Sequence, residues 1–228
     1  MKRSILALIA LCISGTCFPQ RITQLSLSGN GTNPVISFLV DETLIINLSK
    51  DGRIMEFGQE YNKQSMNYYP GRLQPYLGRT DNYPGDANES YRGKLRDAGS
   101  VVITYYTAEE NEFLKGKVKA IGSLPLEYYA AYDNDAFKGN IKTAGAVSFE
   151  WYSSFDNEGY KGKLKMIGGI PVTYYSSFDD IAYRGKLKSI GNYNYTYYSS
   201  FDRKEYYGSM KTGSQVQVIN GISFINRY

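Results

Sequence analysis

Six glycines recur at a fixed interval of 23 residues: Gly93, Gly116, Gly139, Gly162, Gly185 and Gly208. A sustained period of this length fixes the architecture before any single element is considered, because one short unit cannot bury its apolar face without its neighbours. In five units a second glycine follows six residues later (Gly99, Gly122, Gly145, Gly168, Gly191). An aromatic pair follows twelve and thirteen residues after the first: Tyr105-Tyr106, Tyr128-Tyr129, Trp151-Tyr152, Tyr174-Tyr175 and Tyr197-Tyr198. The later units close with Tyr-Ser-Ser-Phe-Asp, at Tyr175 to Asp179 and Tyr198 to Asp202.

Within one unit, Tyr160, Gly162 and Leu164 alternate with Lys161, Lys163 and Lys165. Beyond Gly168-Gly169, residues Ile170, Val172, Tyr174 and Phe178 alternate with Pro171, Thr173, Tyr175 and Ser177. Period-two alternation rich in tyrosine, valine and isoleucine predicts half-buried strands. The glycine pair supplies the positive φ of a tight reversal, and Asp179 starts a turn by bonding its own backbone. Each unit is therefore predicted as a β-hairpin, with Gly162 opposite Tyr174 so that the ring covers bare backbone. The fold class is all-β, an antiparallel meander of tandem 23-residue hairpins in a curled or spiral sheet with atypical capping units. Such a sheet has one apolar face and must curl, close or pack on something.

The rest of the chain is organised around this array. Residues 1–19 form a predicted signal peptide: Lys2-Arg3, an apolar run from Ile5 to Ile13, then small residues. Both cysteines, Cys12 and Cys17, fall there, which leaves the mature chain without a disulfide or thiolate site. Cys17 is also the position for a lipid anchor, although Thr16 stands where such signals place Ala, Gly or Ser. Residues 20–58 read as N-terminal capping strands: Ile22 to Ser26, Val35 to Val40, Thr43 to Leu48 and Arg53 to Phe57. Residues 59–90 read as degenerate repeats with loops, 91–207 as the tandem repeats and 208–228 as a C-terminal capping hairpin turning at Asn220-Gly221.

The succession aromatic-Asp, Gly-Lys-aliphatic and aromatic-rich strand, carried here by Phe178-Asp179, Gly185-Lys186-Leu187 and Tyr197-Tyr198, resembles the YD (RHS-type) repeats of bacterial surface proteins. The array is similar also to secreted tandem-repeat proteins of Bacteroidetes-type bacteria. Either resemblance implies an all-β protein of the cell exterior and names no active site.

Histidine is absent, which removes Ser-His-Asp and Cys-His machinery and imidazole metal ligands. No glycine-rich phosphate loop opens a helix. Glu127 and Glu150 are the candidates for a glycosidase pair, but they occupy one repeat position and read more simply as solvated partners for lysine. Asp133-Asn134-Asp135, Asp156-Asn157-Glu158 and Asp179-Asp180 gather oxygens without EF-hand spacing and read as turn formers rather than calcium ligands. No cofactor or metal is expected. Residues 91–206 carry 16 basic and 14 acidic side chains, too balanced for a nucleic-acid footprint.

The candidate ligand-binding residues are Tyr106, Tyr129, Tyr152, Tyr175 and Tyr198, an outer aromatic ladder beside the lysines. They suit stacking on sugar rings; the structural alternative is that lysine stems pack across them, worth roughly 0.2–1 kcal/mol per pair. The chain is thus expected to be exported to the periplasm, cell surface or medium. It is expected to act without catalysis as a binding or structural module for polysaccharide or a cell-envelope protein, with no transmembrane helix. The alternative is an outer-membrane β-barrel, to which a terminal Tyr228 is suited, although its strands need about nine to eleven residues.

Overall fold

The computed structural model describes residues 20–62, 64–66 and 68–227. The predicted signal peptide, Cys17 and Tyr228 lie outside the described residues.

The repeats form the expected meander. An eleven-stranded antiparallel sheet runs in chain order from Thr80–Asn82 to Tyr193–Asn194. A typical unit supplies a four-residue strand, Leu164–Ile167, and a five-residue strand, Ile170–Tyr174. Gly168 and Gly169 both adopt positive φ between them, the pattern of a type I′ reversal, and Ile167 pairs with Ile170 across it. Each five-residue strand then pairs with the next unit through a bulge: Glu150 opposes Met166, whereas Trp151 opposes Leu164.

That bulge changes the expected first half of the unit. One extra residue lets Leu164 and Ile167 both point inward, so strict alternation ends there. Gly162 is not opposite Tyr174. It lies in the link before the strand with φ +72°, and its N–H donates to the Tyr152 carbonyl at 2.8 Å. Lys163, expected on the outer face with Lys161 and Lys165, is buried, because the left-handed glycine has reversed the parity.

The apolar face of the repeat sheet does not close on itself. It packs on a second sheet of seven strands, of which β1 (Arg21–Ser28), β2 (Val35–Leu39), β3 (Leu44–Ser49) and β4 (Ile54–Glu60) are consecutive. Phe38, Ile46 and Leu48 of this sheet share one core with Phe149, Trp151 and Val172 of the repeats. The 20–58 segment, expected as a cap on one end of the array, therefore covers its side. The C-terminal hairpin, Val216–Ile219 and Ile222–Arg227, belongs to this sheet too: its last strand runs parallel to β1, with Phe224 beside Leu25. First and last strands are thus joined.

The turn between β3 and β4 docks on the repeat array. The Gly52 carbonyl accepts from Val118 N at 3.0 Å and the Lys50 carbonyl from Ile141 N at 2.8 Å, two equivalent repeat positions 23 residues apart. The Tyr128 ring lies directly on Gly52, which adopts φ +78° and where any Cβ would overlap the tyrosine hydroxyl. Among the described residues no helix is long and apolar enough to cross a membrane.

Candidate functional site

The links between units are built from their own side chains. In the third, Ser153 N and Oγ donate to Asp156 Oδ2 at 2.6 and 2.8 Å, and Phe155 N donates to Ser153 Oγ at 3.2 Å. This closes a tight serine-aspartate turn with residues 154 and 155 at its tip. Asn134 Oδ1 of the preceding link accepts from Ala136 N and from Ser154 N, at 3.0 and 2.9 Å, and so fastens one link to the next. The same pattern recurs at Ser176/Asp179 with Asn157, and at Ser199/Asp202 with Asp180.

The backbone N–H groups of the tip are thereby engaged, and the aromatic side chain is left pointing into solvent. Phe155 is 94% exposed, Phe178 92%, Phe201 95% and Tyr132, at the equivalent position, 91%. These four residues are spaced by 23 and stand along one edge of the sheet. Two strands separate neighbours, so the strands that carry successive links lie roughly 9.5 Å apart. Isolated exposed apolar residues are ordinary, but four bare aromatics in register form a surface of a kind that marks interaction sites. The first link lacks one. Glu109 occupies the position, within a short helix Ala108–Asn111 closed by reciprocal bonds between Thr107 and Glu110.

Carboxylates flank the row. Asp133, Asp156, Asp179 and Asp202 each follow an exposed ring directly. Hydrogen bonds from the Ser200 hydroxyl and nearby backbone hold Asp180 below the usual carboxylate range, and those from Ser199 do the same for Asp202. Asp180 and Asp202 thus carry their charge while already accepting from turn donors. Among the described residues no group of three or more His, Cys, Asp or Glu is placed to hold a metal.

The tyrosines expected as the outer ladder sit differently. Tyr106, Tyr129, Tyr152, Tyr175 and Tyr198 are half-buried. Four of their hydroxyls donate to carbonyls of the next unit: Tyr106 to Leu126 at 3.2 Å, Tyr129 to Phe149 at 3.0 Å, Tyr152 to Val172 at 3.2 Å and Tyr175 to Tyr195 at 2.9 Å. An aromatic ring of the following link lies against most of them, as Tyr160 does against Tyr152 at 4.6 Å between centroids. A lysine lies over each ring; Lys165 stands 5.8 Å from the Tyr152 centroid and Lys211 stands 5.5 Å from that of Tyr198. The ring faces are covered by the protein, which is the packing arrangement rather than an open stacking platform.

The inner aromatics are core, as expected, and three of them also donate to carbonyls: Tyr105 to Leu95, Tyr128 to Val118 and Trp151 Nε1 to Ile141. Glu127 accepts from Thr143 Oγ1 at 3.1 Å and Glu150 stands opposite Met166; among the described residues neither forms a salt bridge with a lysine.

Period-two alternation continued through Tyr174 places Phe178 on the inner face, which hides Tyr132, Phe155, Phe178 and Phe201 as surface residues. The strand ends at Tyr174, and parity has no meaning beyond it. The signal present was the Ser-Ser-Phe-Asp sequence itself, in which the serine and aspartate can close a turn and the phenylalanine cannot take part.

In comparisons with known proteins, no family model, no curated protein and no solved structure matches the chain.

Proposed function

We propose that this chain is an exported, non-enzymatic β-repeat protein of the cell exterior that binds an extended, uncharged polysaccharide along Tyr132, Phe155, Phe178 and Phe201. The observation that carries the reading is the exposure of one bare aromatic ring per repeat, each held at the tip of a hydrogen-bonded turn. A sugar ring has an apolar C–H face that packs flat on an aromatic ring while its hydroxyls stay in water. A pyranose chain linked through equatorial oxygens advances by about one strand spacing per sugar and inverts at each step. Every second sugar then offers the same face, matching the spacing of one ring per two strands. The carboxylates beside each ring oppose a polyanion, which favours a neutral polymer.

Export rests on the leader-like residues 1–19. Strand length favours a soluble module over a membrane barrel: the repeat strands have four or five residues, against about nine to eleven for a spanning strand. The test is co-sedimentation of the mature chain with insoluble β-linked glucan. Wild type is expected in the pellet, and a variant with all four exposed aromatics changed to serine in the supernatant. Equal sedimentation of the two would remove the row from any binding role.

A further inference from the structure

A cavity of about 650 Å³ lies between the β3–β4 turn and the first link. Four cationic side chains line it (Arg53, Lys94, Lys115 and Lys117) together with one carboxylate, Asp51. Ile54 and Leu95 supply an apolar wall. The volume is that of a small-molecule site, and an apolar wall with a few convergent polar groups is its usual composition.

The charges are unevenly compensated. Arg53 pairs with Asp51 at 2.7 Å and Lys115 pairs with Glu89. Lys94 and Lys117 have no salt-bridge partner among the described residues. Lys94 Nζ donates to the Gly116 carbonyl at 2.5 Å and lies 5.1 Å from the Tyr105 centroid. Lys117 Nζ donates to the carbonyls of Gly139 and Asp51 at 2.6 and 3.1 Å. Carbonyls and rings solvate an ammonium without neutralising it, Asp51 is the one carboxylate near Lys117 and is already paired with Arg53, and a half-buried cation short of counter-charge is unfavourable. Burial lowers the pKa of both lysines, in keeping with that cost.

We infer that this cavity binds a sugar-sized molecule bearing one oxyanion, a carboxylate or a phosphate ester, which sits between Lys94, Lys117 and Arg53. The site is independent of the aromatic row: it faces the first link, the one that carries Glu109 in place of an exposed ring. Arg53, with a side chain 74% exposed, is free to swing from Asp51 to the incoming anion as the outer jaw. Its planar fork suits either oxyanion.

The test is an amide chemical-shift titration of the mature chain with glucuronate, glucose 1-phosphate and, as the neutral control, glucose. Saturable shifts centred on Gly116 and Lys117 are expected with one or both anions, the tighter of the two naming the oxyanion, and none with glucose. Arg53→Gln and Lys115→Gln leave the half-buried Lys94 and Lys117 in place and preserve the fold. Arg53→Gln is expected to weaken binding about tenfold or more, the loss of one charge-assisted hydrogen bond. Absence of saturable shifts, glucose binding as tightly as the anions, or unchanged affinity in Arg53→Gln would each overturn the assignment.

Discussion

The hydroxyl of Tyr152 donates to the carbonyl of Val172, 3.2 Å away and twenty residues further along the chain. The same bond at the same offset leaves Tyr83, Tyr106, Tyr129 and Tyr175. A second tie recurs at an offset of 22, from Lys94, Lys117, Lys163 and Lys186 to the glycine carbonyl of the next unit. Adjacent repeats are therefore bonded by side chains as well as by strand pairing, and the lysine and tyrosine of the repeat signature are the residues that do it.

Tyr152→Phe keeps the ring and removes one tie. It should lower stability by about 1 kcal/mol, the net worth of a hydrogen bond whose acceptor can find water. A lower urea midpoint with an unchanged slope is the expected result. An unchanged midpoint would show that the bond adds nothing to what the ring packing supplies.

Two buried tyrosines at equivalent positions should respond differently to the same change. Tyr128 donates to the Val118 carbonyl at 2.5 Å, whereas the Tyr174 hydroxyl has no hydrogen-bond partner among the described residues. Tyr128→Phe is expected to cost about 1 kcal/mol and Tyr174→Phe to be neutral or stabilising, because a buried hydroxyl without a partner carries a desolvation penalty. Thermal or urea unfolding of the two variants side by side decides it, and equal losses would contradict the assignment.

Gly52 joins the β3–β4 turn to the repeat sheet, under the Tyr128 ring and bonded to Val118. Alanine there meets both a left-handed backbone and the Tyr128 hydroxyl. Backbone strain of about 1–2 kcal/mol and overpacking of about 1–3 kcal/mol predict a loss near 3 kcal/mol. A change of less than 1 kcal/mol in urea unfolding would mean that the turn is not seated on the repeats.

What could be read before the structure follows from how local each signal is. The hairpin at Gly168-Gly169 and the closing hairpin at Asn220-Gly221 are fixed by residues adjacent in the chain, and both form where expected. The inward turn of Lys163 depends on a bulge and a left-handed Gly162, which period-two counting cannot register. The place of the closing hairpin beside β1 depends on Leu25 meeting Phe224 across nearly the whole chain, and no local pattern announces that pairing. At the candidate site the residue type was legible and the residue was not. Tyrosines just past the strand ends face outward by parity but lie under lysines, while Phe155 and its equivalents stand at turn tips.

Stability should rise with pH above neutrality and then fall. Lys163 is 6% exposed, and burial pushes its ammonium down to about 8. An unfolded lysine titrates near 10.4, so between the two values the unfolded chain holds a proton that the folded chain lacks, and stability increases with pH. Burial lowers Lys50, Lys94, Lys117 and Lys186 in the same direction. Burial raises Tyr105, Tyr128 and Tyr174, so the sign reverses once unfolded tyrosines ionise near pH 10. From about pH 7 to about pH 9.5 the gain should be on the order of 1–2 kcal/mol, and Lys163→Met should reduce it. A urea midpoint that falls over this range in the wild type would contradict the burial of these ammoniums.

The central claim is that the four turn-tip aromatics read one polymer together. Isothermal titration of the mature chain with neutral β-linked gluco-oligosaccharides of increasing length tests it most directly. Each interval between rings matches two sugars, so the account predicts affinity that rises with length until about seven sugars span all four rings, then levels. Serine at Tyr132, Phe155, Phe178 and Phe201 should abolish that dependence. Affinity independent of length, or a four-serine variant that binds as the wild type does, would contradict it.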